Sequence, residues 1–73
     1  GEIVDGDELL FIMVKNRLDL NRPVEGIIGT TMSNLGLEKA MLERNIQFHR
    51  AQVGDRYVME ALKERNWTIG GEP

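Results

Sequence analysis

Apolar and polar positions alternate in blocks along the chain, and the blocks predict three helices that each lead into a strand. The first helix is predicted over residues 6–19. Residues 9–14 are apolar on every side, so periodicity alone does not distinguish a buried helix from a buried strand. Asp5 and Glu8 resemble a capping box at the start of this run, which favours a helix. Pro23 then ends the segment, because proline cannot donate a backbone hydrogen bond.

The remaining blocks predict two further helices and three strands. The helices are expected to begin near residues 33 and 54, and the strands are expected near residues 25–30, 46–50 and 67–70. The tripeptide Glu-Arg-Asn ends both of these helices, and asparagine tolerates the left-handed conformation found there. Successive strand–helix–strand crossovers through short turns indicate parallel strands. We therefore predict a small three-layer-type α/β domain, with a mainly parallel short sheet and helices packed on it.

The second and third helices are each predicted to have one buried side. Ser33 is expected to cap the second helix and Asp55 the third. Arg56 and Glu60 are four residues apart on the third helix, a spacing at which opposite charges pair. The inward positions are predicted to be Leu37, Ala40, Met41 and the aliphatic stem of Arg44 in the second helix, and Val58, Ala61 and Leu62 in the third.

Composition and charge narrow the class of protein. The 73 residues allow one small domain, and 41% hydrophobic with 29% charged residues is typical of a soluble globular chain. The net charge of −3 provides no basic surface for nucleic acid. No apolar run approaches the roughly 20 residues that span a bilayer. The absence of cysteine excludes disulfides and thiol chemistry, and is compatible with a cytoplasmic location.

Three local patterns are candidates for chemistry, and each also has a structural interpretation. Asp5-Gly6-Asp7 resembles the oxygen-rich loops that hold Mg²⁺, although the start of a helix is the favoured interpretation. Residues 29–34 form a hydroxyl-rich turn before a helix, where either an anion or an ordinary cap is possible. His49 is the only histidine of the chain and has no serine or carboxylate at a recognisable spacing. We interpret it as a solvated strand residue.

Two segments resemble a known family. Residues 53–58 read Val-Gly-Asp-Arg-Tyr-Val, and residues 70–73 read Gly-Gly-Glu-Pro after a strand-like stretch. Together with residues 28–34, they resemble the third domain of bacterial phosphoglucosamine mutases, which belong to the α-D-phosphohexomutase superfamily. The resemblance covers essentially the whole chain. It implies that residues 1–73 are a single partial domain, a fragment that ends within the sugar-binding loop.

The resemblance implies a function for the parent enzyme. Such an enzyme interconverts glucosamine 6-phosphate and glucosamine 1-phosphate by phosphoryl transfer through a phosphoserine that lies outside this chain. The family binds Mg²⁺ with Asp-Gly-Asp-x-Asp-Arg, and here the second aspartate is followed by Glu8-Leu9-Leu10, so the metal is expected outside the chain as well. This chain then holds no catalytic residue and no metal ligand. Its isolated form is expected to be inactive.

The same resemblance assigns Glu72, Gly71 and Arg56 to substrate binding. A bend at Gly70-Gly71 would present the Glu72 carboxylate to sugar hydroxyls, which form strong charge-assisted hydrogen bonds. Arg56 is expected either to contact the phosphate or sugar or to form a structural ion pair. The implied partners are a phosphosugar and the other domains of the parent chain, with no nucleic acid and no membrane. The alternatives are a phosphomannomutase or phosphoglucomutase domain, or a non-catalytic phosphate-binding or interaction module.

Overall fold

A computed structural model describes residues 2–72 and contains four strands and three helices. The strands are β1 (Glu2–Asp5), β2 (Gly26–Thr30), β3 (Gln47–Ala51) and β4 (Ile69–Glu72), and the helices are α1 (Asp7–Asp19), α2 (Leu35–Glu43) and α3 (Asp55–Arg65). All three strand pairings are parallel, and the strand order is β1-β4-β2-β3. The predicted parallel sheet with packed helices is therefore confirmed.

The sheet lies between two helical layers. One apolar cluster joins α1 and α2 to one face of the sheet, and the other joins α3 to the opposite face. The fully buried members of the first cluster include Leu10, Val14 and Met41, and those of the second include Ile28 and Val58. Adjacent residues of β2 contribute to opposite clusters, as the alternation of side chains along a strand requires. The predicted three-layer α/β class is confirmed.

The helices end as the asparagines predicted. Asn45 and Asn66 follow α2 and α3 with φ angles of 61° and 57°, and Asn21 follows α1 with φ 58°. A residue with φ in this range turns the chain sharply and lets the next segment return along the helix. Asparagine takes this left-handed conformation at a lower cost than most residues, because its side chain can hydrogen-bond locally.

The helix starts differ from the prediction. Asp5 is the last residue of β1, a strand that the sequence did not predict, so it cannot form a capping box with Glu8. The N-cap of α1 is Gly6 with φ 107°, and that of α3 is Gly54 with φ 130°; neither uses a side chain as a cap. Asp55 is consequently the first residue of α3 and not its cap.

A second difference concerns α2. The cap of this helix is Asn34, whose side-chain oxygen accepts a hydrogen bond from Gly36 N at 2.6 Å. Ser33, the predicted cap, instead accepts a hydrogen bond from the backbone N–H of Thr30 at 2.9 Å. Both residue types cap helices well, so the sequence did not separate them. The inward positions Leu37 and Met41 are buried as predicted.

The glycine pair of β4 does not form the predicted bend. Gly70 and Gly71 are interior residues of a regular strand, and neither has a positive φ angle. A Cβ on Gly70 would lie 2.8 Å from Val58 Cγ1, and one on Gly71 would lie 3.1 Å from Val4 Cγ2 and 3.2 Å from Leu10 Cδ2. The two glycines therefore let helices on both faces pack closely against the strand. Within residues 2–72, no helix is both long and apolar enough to cross a membrane.

Candidate functional site

The carboxyl ends of the parallel strands form one edge of the sheet, and a groove lies along this edge. Asp5 and Glu72 end the neighbouring strands β1 and β4 in register with each other. Thr30, at the end of β2, Met32 and Val53 complete the lining of a groove of about 400 Å³. Open parallel sheets bind their ligands at this edge. The groove is consequently the first place to look for a substrate site.

Glu72 is held in this groove by two glycines that begin helices. The N–H of Gly54 donates to Glu72 Oε1 at 2.6 Å, and the N–H of Gly6 donates to the Glu72 carbonyl oxygen. Gly54 begins α3, so the carboxylate lies at the positive end of that helix. An ionised carboxylate has about four acceptor sites, and Gly54 uses one of them. The remaining acceptor sites give this half-buried side chain the capacity to bind hydroxyl groups.

Gly71 and Arg56, the other two residues assigned to substrate binding, do not line this groove. Gly71 precedes Glu72 in β4 and is buried against α1. Arg56 lies in the first turn of α3 with 82% of its side chain exposed, and its Nε is 3.4 Å from Glu60 Oε1. The predicted ion pair is therefore confirmed. An exposed pair of this kind contributes little to stability, which leaves the guanidinium free to exchange partners.

The backbone N–H groups of residues 31–34 all donate to other groups of the chain. Thr31 N donates to the carbonyl of Ala51, Ser33 N to the carbonyl of Thr30, and Met32 N to Thr30 Oγ1, all between 3.0 and 3.2 Å. The N–H of Asn34 donates to a carboxylate. These donors are therefore not available to a phosphate. The turn has the ordinary structural character that the sequence favoured, and Thr30 and Met32 line the groove.

The carboxylate that binds Asn34 belongs to Asp7. Its Oδ2 accepts from Asn34 N at 2.8 Å, which ties the start of α1 to the loop before α2. Asp5 lines the groove beside Glu72. Among the side chains of residues 3–72, no group of three or more His, Cys, Asp or Glu is arranged to hold a metal ion. The Asp5-Gly6-Asp7 segment thus has a structural use in this fold.

His49 lies on the edge strand β3 and does not line the groove. Its Nδ1 is 3.0 Å from Arg65 Nη2, and the residue is half-buried. The sequence predicted a solvated residue at this position, and the structure shows one with a side-chain partner. Burial, followed by the positive charge of Arg65, lowers the pKa of His49 below its ordinary value of 6.5, and the negative charge of Glu64 partly opposes this. Protonation would place two cations in contact.

Sequence reasoning missed the position of Arg50. This side chain reaches from β3 to the main chain of the turn at the groove edge, with its Nη1 2.8 Å from the carbonyl oxygens of both Thr30 and Ser33. Every residue carries a carbonyl oxygen, so no residue type in the sequence marks these acceptors. The available signal was the location of Arg50 at the end of an edge strand, three residues before the motif at residues 53–58.

Comparison with known proteins agrees with this architecture. Residues 5–73 match the family described as phosphoglucomutase/phosphomannomutase, alpha/beta/alpha domain III. The phosphoglucosamine mutase of Pseudomonas syringae pv. tomato is 60% identical over 72 residues, and those of Janthinobacterium sp. (strain Marseille) and Hydrogenovibrio crunogenus are 56% and 54% identical. Each alignment covers 99% of this chain and 16% of the relative, so the chain spans a small part of the length of these relatives.

The match extends over nearly the whole chain and includes both segments on which the resemblance was based. The observed layering of helices on both faces of a parallel sheet is the arrangement that the family description names. The resemblance to the phosphohexomutases is confirmed. The chain belongs to the phosphoglucomutase/phosphomannomutase family, as its alpha/beta/alpha domain III.

Proposed function

We propose that this chain is the sugar-contacting domain of a phosphoglucosamine mutase, which interconverts glucosamine 6-phosphate and glucosamine 1-phosphate. The similar proteins bear that name and are 51–60% identical over 72 residues. The observation that carries the proposal is the position of Glu72, a carboxylate at the carboxyl end of a central strand, oriented by a backbone N–H and directed along a groove. That chemistry suits a ligand rich in hydroxyl groups.

The proposed contribution of Glu72 is positioning. Phosphoryl transfer depends mainly on the placement of the reacting groups and on electrostatic stabilisation, since the protein has little covalent chemistry to perform. While a phosphoryl group is transferred between two positions of a sugar, the enzyme has to hold that sugar by its hydroxyl groups. The Glu72 carboxylate, fixed at 2.6 Å from Gly54 N, accepts hydrogen bonds from such hydroxyl groups through its unused acceptor sites.

Gly71 and Arg56 support this contact in the proposal. Gly71 sets the position of Glu72, because the absence of a side chain lets β4 lie close to Val4 and Leu10. Arg56 begins in an ion pair with Glu60 and exchanges it for the phosphate or a hydroxyl of the substrate. Arg56→Gln in the full-length enzyme should raise KM severalfold and leave the melting temperature nearly unchanged, since the pair is exposed.

In the proposed enzyme, the phosphoserine and the ligands of the Mg²⁺ lie in other parts of the parent chain. The side chains of residues 3–72 do not fit a divalent cation, because no three metal-binding side chains converge. The isolated chain is expected to show no mutase activity. A coupled assay of the 73-residue chain, with the full-length enzyme as the positive control, checks this.

The decisive experiment is Glu72→Gln in the full-length enzyme. Glutamine keeps the shape and the acceptor for Gly54 N but removes the charge that strengthens bonds to hydroxyls. A lost charged hydrogen bond of about 1.5–3 kcal/mol corresponds to a fall in kcat/KM of roughly one to two orders of magnitude. Glu43→Gln is the matched control, since Glu43 is an exposed carboxylate at the end of α2.

Two measurements on the same Glu72→Gln protein separate function from structure. Mutase kinetics should show the loss, and the melting temperature should fall by no more than a few degrees, because the amide oxygen still accepts from Gly54. Kinetics equal to those of the Glu43→Gln control would remove Glu72 from the site. A large fall in melting temperature with proportionally lower activity would reassign Glu72 to a structural role.

A further inference from the structure

The turn at residues 30–33 follows β2 and contributes to the wall of the groove. Thr30 is fully buried at its start, and Met32 is 69% exposed at its tip. Both line the same groove as Glu72. A loop that forms one wall of a substrate groove has to hold its place, because a displacement of about 1 Å at a reacting substrate can cost roughly 100-fold in rate. The turn therefore needs contacts that fix its position.

Arg50, on the neighbouring strand β3, forms hydrogen bonds to the main chain of the turn. Its Nη1 lies 2.8 Å from the carbonyl oxygens of both Thr30 and Ser33, so one nitrogen joins the two ends of the turn. Its Nε donates to Glu38 Oε1 at 2.9 Å in the first turn of α2. The planar guanidinium can make these bonds at once because its donors point in fixed directions.

Packing restricts Arg50 further. The guanidinium carbon lies 5.3 Å from the centre of the Phe48 ring, a favourable cation–π distance. The side chain of Arg50 is only 24% exposed. The Phe48 ring is itself closely packed, because it leaves no room for a Cβ on Gly29, which would lie 2.4 Å from Phe48 Cζ. The arginine therefore has little freedom to release the turn, and its contacts span β2, β3 and α2.

We infer that Arg50 is a positioning residue of the substrate groove, holding the wall formed by Thr30 and Met32 at a fixed distance from Glu72. Arg50 does not line the groove itself and acts through the main chain of the turn. The inference rests on the proposed function, because it takes the Glu72 groove to be where the sugar phosphate binds. Loss of Arg50 should loosen substrate binding first, and so raise KM more than it lowers kcat.

The test compares Arg50→Gln with Arg44→Gln in the full-length enzyme. Arg44 is a matched control: it also stacks on a phenylalanine, at 5.2 Å from the Phe11 ring, and also bonds a main-chain carbonyl, that of Ala40, and both of these partners lie outside the turn. Arg50→Gln should raise KM about tenfold and change kcat by less than about threefold, whereas Arg44→Gln should change neither by more than about twofold. Arg50→Lys keeps the positive charge but loses the planar arrangement of guanidinium donors. It should therefore recover only part of the affinity that Arg50→Gln loses.

Hydrogen exchange of a peptide covering residues 29–36 gives a readout that does not depend on catalysis. Exchange there should be faster in Arg50→Gln than in Arg44→Gln, with equal exchange in α3. The milder variant Glu38→Gln, which removes the charge of one partner and keeps both carbonyl bonds, should fold and show a smaller acceleration of the same peptide. It keeps the inference testable where Arg50→Gln does not fold.

The outcomes distinguish this inference from the proposed function. If Glu72→Gln loses activity while Arg50→Gln and Glu38→Gln keep the KM and the exchange of the unsubstituted enzyme, the role of Arg50 is refuted. If the turn exchanges faster in Arg50→Gln but neither Arg50→Gln nor Glu72→Gln changes the kinetics, Arg50 holds the turn and the proposed substrate groove is wrong.

Discussion

Substitution of Gly70 by alanine tests why β4 contains two consecutive glycines. The added Cβ would lie 2.8 Å from Val58 Cγ1 and 3.4 Å from both Leu62 Cδ1 and the carbonyl oxygen of Ile28. Val58 is fully buried between α3 and the sheet, so its methyl group has no open space to enter. Either α3 has to move outward or Val58 has to change its rotamer, and both lower the stability of the folded chain.

The size of the effect follows from two opposing terms. Overpacking of a core costs about 1–3 kcal/mol. Replacing glycine by alanine restricts the unfolded chain and returns about 0.4–1 kcal/mol. We therefore expect Gly70→Ala to lower the free energy of unfolding by about 1–2 kcal/mol, which for a domain of this size corresponds to a fall in melting temperature of roughly 5–15 °C.

Urea denaturation of the 73-residue chain, followed by circular dichroism, measures this difference. Val58→Ala is the companion variant, because it removes the methyl group that the new Cβ would strike. The double variant should lose less stability than the sum of the two single losses, since the added methyl group occupies the volume that Val58 gave up. A Gly70→Ala chain as stable as the original, or additive losses, would refute the packing explanation.

Three further predictions concern other parts of the fold. Asn66→Ala should destabilise the chain by about 1 kcal/mol and Asn66→Gly should not, because the residue has φ 57°; urea denaturation of both variants compares them. The lowered pKa of His49 means that the unfolded chain takes up the proton first, so its stabilising contribution is present above the ordinary pKa of 6.5 and is lost as the pH falls below it. The melting temperature should therefore fall more between about pH 7.5 and about pH 5 in the original chain than in His49→Gln. Equal falls in the two chains would contradict this. Titration with Mg²⁺ should leave the amide resonances of Asp5 and Asp7 unmoved, because no third ligand from residues 3–72 converges on them; saturable shifts at low millimolar or lower concentration would contradict it.

The elements that the sequence predicted correctly are those with a local signal. Val58, Ala61 and Leu62 recur at helical spacing and are buried on one side of α3, as predicted. The asparagines after α2 and α3 have the conformation that their residue type suggested. Strand β1 gave a weaker signal, since its four residues include two adjacent apolar ones and two acidic ones. Pairing with β4, at the far end of the chain, is what makes it a strand.

The family resemblance predicts a candidate residue for the site, and the sequence does not predict how the folded chain arranges its contacts. Glu72 was identified through its family resemblance, but its partners Gly6 and Gly54 lie far from it in sequence. The glycine pair was interpreted as a bend because glycine permits one, whereas the close approach of Val58 and Leu10 explains it. Which of glycine's two uses applies depends on neighbours that come together only in the folded chain.

The two hydrogen bonds that converge on Glu72 have a thermodynamic consequence. Gly6 begins a helix on one face of the sheet and Gly54 begins a helix on the other, and both donate to this one residue. A movement of this end of β4 would therefore leave a backbone donor without its acceptor at the start of both helices at once.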